Sequence, residues 1–278
     1  MAAERYLVAY PLAVPLIGVP VPGRSNPYLA AVAPEARVNV GVEVYAAESV
    51  SSLRLEGLRL GWRLELALKS FLDTLAARLE QPLEAVLEAS VPGYEYPPPV
   101  AVYAAATLAL VEAVSVQAGY SLSKEEVLEA ASSIDREAAT WLDYIDAVRE
   151  AMVRGVSLVY REGEGAVSLE AGARLGLVLV GEEDIGEDYS QRLGDPVVSA
   201  VTRLGGVSVL DAVTKLREAR EPPTDVLLEA ARVDNALFYL LYGAQPPEEG
   251  CKWTPSLQRV YGVCLPGRAP GEGAEFTL

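Results

Sequence analysis

The order of strand-like and helix-like segments in this chain predicts an α+β fold. Residues 37–46 alternate valine with other side chains, which is typical of a half-buried strand. Between residues 62 and 79 apolar side chains recur at helical spacing, and residues 84–91 return to a strand pattern. Because strands and helices follow one another without a regular strand–helix–strand rhythm, the pattern favours α+β over a doubly wound sheet.

Prolines, glycines and capping residues mark the other elements. Prolines punctuate residues 6–21 repeatedly, which predicts short extended segments. A long apolar helix begins at Val100 and ends at Gly119, and Ser123 with Glu126 forms a capping box for the next helix. The remaining pattern predicts a strand over 53–60, a helix over 138–152, a hairpin over 156–160 and 166–169, a strand over 175–180, helices over 195–204, 207–219 and 224–242, and strands over 262–265 and 274–278.

The amino-acid composition and net charge exclude some classes of binding partner for this protein. Hydrophobic residues make up 51% of the 278 residues, enough for a sizeable core. The net charge is −16, from 23 basic and 39 acidic residues, which argues against nucleic acid and anionic membrane surfaces as partners. To bind an anionic ligand, a protein of this charge would need a local cluster of basic residues. We find no segment with the length and apolarity of a membrane span and no signal-peptide pattern, and we expect a cytoplasmic protein.

The chain contains no histidine, which excludes serine–histidine and cysteine–histidine hydrolases and histidine-based metal sites. Two cysteines, Cys251 and Cys264, cannot form a zinc site by themselves, and we predict no metal site. We favour two unpaired thiols; a disulfide is the alternative, since some thermophile proteins from reducing compartments carry them. A basic set dominated by arginine, with few Met, Gln and Asn, fits a thermophilic source.

Residues 90–118 are the stretch around which the rest is organised: a strand end, a turn rich in proline and tyrosine, and a long apolar helix. Phosphate-binding loops have this order, because a helix N-terminus favours anions. Three further segments accompany it: LDYIDAV at 142–148, GVSLVY at 155–160 and GVCLPGRAPGEG at 262–273.

In this order the segments resemble the motifs of the GHMP small-molecule kinases, the superfamily of galactokinase, homoserine kinase and mevalonate kinase. Residues 7–18 are similar to the opening strand of that family. The resemblance implies an S5-like N-terminal domain and a ferredoxin-like C-terminal domain. The pattern changes from helices to a hairpin after residue 152, so we expect the N-terminal domain to cover residues 1–153 and the C-terminal domain residues 154–278.

The resemblance also implies site residues. Asp146 matches the aspartate thought to orient or deprotonate the substrate hydroxyl, and Asp143 lies one turn earlier, where both carboxylates could share a face. The alternative is that Asp146 is a solvated carboxylate on a helix. In the turn before Val100, the implied cofactor-binding residues are Gly93, Tyr94 and Tyr96; in the terminal turn they are Arg268, Gly271 and Gly273. Each turn is alternatively a purely structural connection.

Two features of the family's catalytic machinery are missing. No glycine lies between Tyr94 and Val100, and three consecutive prolines remove three N–H donors. Residues 13–19 contain no lysine where the family supplies one, and the nearest basic residue is Arg24. We therefore favour a non-catalytic or weakly active protein that binds a ligand or partner.

Two alternatives stay open. One is an active kinase that uses ATP and Mg²⁺ to phosphorylate a mevalonate-, homoserine- or sugar-like hydroxyl. The other is a subunit that forms a homodimer through apolar faces.

Overall fold

The computed structural model describes residues 5–21, 23–56, 62–94, 97–138, 142–184, 193–219, 221–245, 247, 249–256, 259–265, 267 and 274–278, and the statements below refer to these. Ten strands and six helices lie among them. In chain order they are β1 (Tyr6–Ile17), β2 (Tyr28–Ala46), β3 (Ser52–Glu56), α1 (Trp62–Arg78), β4 (Leu83–Ser90), α2 (Pro99–Gln117), α3 (Lys124–Glu137), α4 (Asp143–Arg154), β5 (Leu158–Arg161), β6 (Gly165–Ser168), β7 (Arg174–Asp184), α5 (Asp195–Glu218), α6 (Pro223–Tyr242), β8 (Cys251–Ser256), β9 (Arg259–Cys264) and β10 (Ala274–Thr277).

The ten strands belong to one connected sheet, whose central path is β3-β4-β2-β10-β7-β9-β8. β1 and β5 also pair with β2, and β6 pairs with β5. The pairing of β3 with β4 is parallel, with α1 as the crossover helix, and the other described pairings are antiparallel. Such a mixture of a large sheet with segregated helices is the α+β class predicted from the sequence.

The long first strand differs from the short segments predicted for residues 6–21. β1 runs through Pro11 and Pro15 and pairs with β2, with register shifts beside both prolines. A proline cannot donate to the ladder, and a register shift lets the strand continue past it. The predicted short segments are therefore one strand.

The central helix α2 packs against β1, β2, α3 and α4, and most of its residues are buried. This burial on every side explains why it is apolar all round. By length and apolarity alone, α2 and α5 could each cross a membrane, contrary to the sequence prediction; 72% of the apolar stretch of α2 is buried and 28% of that of α5. In this structure α2 is a core helix.

The helix α5 is continuous, whereas the sequence predicted two helices separated at Gly205 and Gly206. The loop after β1 passes close to this point: a Cβ on Gly206 would lie 3.7 Å from Pro27 Cδ, and one on Gly205 would lie 3.1 Å from Asn26 Nδ2. The loop therefore packs closely on Gly205 and at ordinary contact distance on Gly206, and neither glycine ends the helix.

The C-terminal hairpin was only partly predicted. β8 was not expected, and it pairs with β9 so that Cys251 lies opposite Cys264. These cysteines form a disulfide. The favoured prediction of two unpaired thiols was therefore wrong, because only the pairing of the two strands brings the sulfurs together.

Strands from both sides of residue 153 meet in this sheet. β10 lies between β2 and β7, and Ser157 bridges the β2–β10 contact: its hydroxyl donates to the Thr277 carbonyl and accepts from the Val32 N–H at 2.8 Å. The division into domains at residue 153 remains a prediction.

The two glycines of α5 give a matched test. We expect Gly206→Ala to raise the free energy of unfolding by about 0.5–1 kcal/mol, because alanine is the better helix former and its methyl group makes ordinary contacts with Pro27. Gly205→Ala should lower it, because buried Asn26, which donates to the Val19 carbonyl, would have to move. Urea denaturation measures both, and an equal gain in the two variants would contradict this account of the loop contact.

Candidate functional site

The turn before α2 carries Gly93 and Tyr94. Gly93 is exposed and has a φ of 85°, a left-handed conformation that favours glycine. The N–H of Tyr94 donates to the Val91 carbonyl at 3.1 Å, and its half-buried ring packs against the main core. Tyr96, the third residue predicted here, lies outside the described residues.

The start of α2 differs from a phosphate-binding helix terminus. Pro98 is the N-cap residue and Pro99 the first helical residue, and no side chain caps the helix. The N–H groups of Ala101 and Val102 already donate to the Pro98 carbonyl, at 3.0 and 3.1 Å. Since prolines lack N–H groups, Pro98 and Pro99 offer no donors to an anion at this helix start.

Asp146 lies in the first turn of α4, with 4% of its surface exposed. It accepts hydrogen bonds from the Ser132 hydroxyl on α3 and from Arg149 Nη1, the latter at 3.1 Å. The carboxylate is therefore buried and held by two donors. It is not the solvated helix carboxylate that was the alternative interpretation.

Arg149 is the centre of this cluster and is fully buried. Besides Asp146 it pairs with Asp135 on α3 and donates to the Thr107 hydroxyl on α2 at 2.7 and 3.2 Å. The Tyr103 hydroxyl of α2 donates to Asp135 at 2.6 Å. Burial lowers the pKa of the Arg149 guanidinium, but the two carboxylates raise it by more, so the group stays charged.

Asp143, one turn before Asp146, faces a different element. Its carboxylate accepts from the Tyr144 N–H at 3.0 Å and lies beside the Tyr28 hydroxyl of β2. Tyr28 is fully buried, and its hydroxyl makes no hydrogen bond of normal geometry with a described residue. Burial raises the pKa of Asp143 to about 7, with Glu162 adding to the rise. Burial, and then Asp143, raise the pKa of Tyr28 well above its usual value.

The strand that resembles the family's lysine-bearing strand contains only buried apolar residues from Leu12 to Ile17. A lysine from elsewhere in the chain reaches it: the ammonium of Lys252 on β8 donates to the Leu16 carbonyl. It also pairs with Asp234 of α6 at 2.6 Å, and the same carboxylate accepts the Gly18 N–H at 3.1 Å. Both charged side chains are fully buried.

Sequence reasoning missed the buried partners, although one signal was present. Asp234 falls at helical spacing among the buried apolar residues of α6, and Arg149 does the same on α4. A charged residue on the apolar face of a helix is rarely buried unless it is paired. The position of Lys252 between Cys251 and Trp253 gives no such signal, since a strand exposes alternate residues.

A cleft of about 780 Å³ lies between α3 and α4, with Asp146 and Ser132 in its wall and Tyr160 of β5 beside them. Its rim carries both signs of charge, including Arg136 and Glu150. Among the described residues, no group of three or more acidic or cysteine side chains is placed to hold a metal ion. The terminal-turn residues Arg268, Gly271 and Gly273 lie outside the described part of the chain.

Removing the central guanidinium tests the cluster. We expect Arg149→Met to lower the free energy of unfolding by about 3–5 kcal/mol at neutral pH, because Asp135 and Asp146 would be left buried without a counter-ion. The control is Arg78→Met, which removes a surface pair with Glu137 and should cost less than about 1 kcal/mol. Equal losses in urea denaturation would contradict a special role for Arg149.

The raised pKa of Asp143 predicts a pH dependence of stability. Between an unfolded-state pKa near 4 and the folded value of about 7, the folded chain holds a proton that the unfolded chain releases. The resulting stabilisation, up to about 4 kcal/mol, is complete at low pH and disappears as the pH rises through 7. We expect the free energy of unfolding, measured by urea denaturation at a series of pH values, to lose this pH dependence in Asp143→Asn. The exposed-residue control Asp225→Asn should keep it. An unchanged slope in Asp143→Asn would contradict the assignment.

No known family profile matches the chain, and no curated protein sequence matches it. Solved structures do. Mevalonate kinase from methicillin-resistant Staphylococcus aureus matches at 18% identity and a TM-score of 0.57, over 94% of this chain and 90% of the other. L. major mevalonate kinase, solved with R-mevalonate, matches at 14% identity and a TM-score of 0.62, over 96% of this chain and 88% of the other.

Mevalonate diphosphate decarboxylase from Enterococcus faecalis matches at 10% identity and a TM-score of 0.64, over 99% of this chain and 97% of the other. These neighbours have GHMP-superfamily folds. At such identities the likeness concerns the fold alone. The chain has the GHMP-kinase-like α+β fold.

Proposed function

We propose that this chain is a GHMP-fold protein that has lost efficient phosphoryl transfer and that binds a small ligand or a partner. The main observation behind this proposal is that Asp146 is already engaged inside a buried cluster. Its Oδ1 accepts from both Arg149 and Ser132, so this oxygen could take a proton from a substrate hydroxyl only by giving up those bonds.

Two further observations support the loss of phosphoryl transfer. Pro98 and Pro99 at the start of α2 offer no N–H groups to phosphates. The cation nearest the end of β1 is Lys252, whose ammonium is already bound to Asp234 and to the Leu16 carbonyl. Stabilising the charge that develops on a transferred phosphoryl group needs a cation that can reach it.

One observation favours the alternative, an active kinase that uses ATP and Mg²⁺ to phosphorylate a mevalonate-, homoserine- or sugar-like hydroxyl. Asp146 lies in the wall of the 780 Å³ cleft, where a small alcohol could approach it. In this alternative Asp146 positions or deprotonates the hydroxyl, and Gly93, Tyr94, Tyr96, Arg268, Gly271 and Gly273 contribute to nucleotide binding. These roles, a cytoplasmic location and a homodimer remain predictions.

Calorimetry and turnover separate the two candidates. We expect no heat on titration with ATP or ADP, with or without Mg²⁺, and no ATP-dependent phosphorylation of mevalonate, homoserine or galactose. Magnesium-dependent ATP binding together with turnover would overturn the proposal. In that case Asp146→Asn should abolish turnover in a folded protein, and Asp225→Asn, an exposed carboxylate in the first turn of α6, should not.

A further inference from the structure

A second cleft, distinct from the one beside Asp146, is lined by three arginines. It has a volume of about 360 Å³ and lies between the loop after β1, the end of β5 and the first half of α5. Arg24 comes from the loop, Arg161 from β5 and Arg203 from α5. No aspartate or glutamate is among its described lining residues, in a chain with a net charge of −16. The cleft is therefore a basic region on an otherwise acidic protein.

The three guanidinium groups are not locked by strong internal pairs. Arg24 lies 3.7 Å from Asp195, whose side chain is 95% exposed. Arg161 pairs at 2.6 Å with Glu164, also largely exposed. Exposed pairs of this kind contribute little and exchange readily. Arg203 is exposed and forms no hydrogen bond or ion pair with the described residues. Its guanidinium N–H groups are therefore available to donate to an anionic ligand.

Part of the cleft floor is apolar, although Ser199 and Thr202 also line the cleft. Pro27 packs against the bare backbone of Gly206, and Val207 and Leu210 of α5 leave more than half of their surface exposed. The polar Asn26 faces the same space, but its side-chain amide already donates to the Val19 carbonyl. A ligand that satisfies both parts of the cleft therefore needs an anionic head and a short apolar body.

We propose that this cleft binds a small amphipathic anion, with a phosphate or carboxylate group held by Arg24, Arg161 and Arg203 and an alkyl portion over Pro27, Val207 and Leu210. The volume suits a small metabolite. A polyanion is disfavoured, because the chain's net charge of −16 would repel the charges that the three arginines leave unpaired. The inference names the ligand class of the proposed binding function and rests on it.

The test is a calorimetric titration of the full chain at low ionic strength with four probes: n-butyl phosphate, n-pentanoate, inorganic phosphate and n-butanol. We expect n-butyl phosphate or n-pentanoate to bind more tightly than inorganic phosphate, because only they cover the apolar floor, and n-butanol not to bind. The ratio between the first two distinguishes a phosphate from a carboxylate head. Added salt should weaken the binding.

Arg203→Gln should weaken the tighter probe at least about tenfold, the effect of losing one charge-assisted hydrogen bond. Arg161→Gln should weaken it as well. The matched control is Arg232→Gln, an exposed arginine on α6 that does not line this cleft, and it should bind like the wild type. Because Arg203 is exposed, its variant should keep the wild-type circular dichroism spectrum.

Two results would overturn the inference. One is the absence of heat with both amphipathic probes up to about 1 mM, which corresponds to a binding free energy weaker than about −4 kcal/mol. The other is an equal loss of affinity in Arg203→Gln and Arg232→Gln, which would show a general charge effect. Neither experiment contains a nucleotide, so this inference and the loss of phosphoryl transfer can fail separately.

Discussion

The buried guanidinium of Arg149 is the constraint on which the helical layer depends. It contacts side chains from α2, α3 and α4. A displacement of α3 against α4 would leave Asp135 buried without its counter-charge, and a displacement of α2 would break the hydrogen bonds to Thr107. Apolar packing alone tolerates small shifts between helices, whereas a charged hydrogen-bond network does not. The same cluster fixes Asp146 in the wall of the large cleft. The pairing with Arg149 therefore both positions Asp146, the candidate catalytic residue, and restrains its carboxylate.

Local sequence pattern predicted the fold class and most of the elements because their causes are local. The capping box of Ser123 and Glu126 forms as expected, and Gly155 ends α4 in the left-handed conformation. The failures concern contacts that no local window contains. The glycine pair in α5 accommodates a loop from the other end of the chain, and the Cys251–Cys264 disulfide requires β8 and β9 to pair first. For the site, resemblance indicated Asp146, but its partner Asp135 comes from another helix, and Lys252 lies more than two hundred residues from the strand that it contacts.

The Lys252–Asp234 pair shows how charge is distributed in this fold. A family resemblance would place a cation on β1, yet here that strand is apolar and the ammonium arrives from β8. Asp234 also accepts the Gly18 N–H, so one carboxylate joins α6, β8 and the end of β1. The arrangement connects the two halves of the chain through fully desolvated charges, which are costly to separate. A group of basic side chains that a ligand can reach lies elsewhere, around Arg203.

The place of β10 in the sheet has a consequence for biosynthesis. β10 is the last described strand in the chain but lies between β2 and β7 in space. While the ribosome is still translating the residues before 274, the edge of β2 that β10 covers has no strand beside it. Until β10 has been synthesised, a nascent chain must therefore keep this strand edge from associating with other chains, because open edges template intermolecular pairing. The contact of Thr277 with Val32 joins residues that lie far apart in the sequence, and such long-range pairings are slow to form.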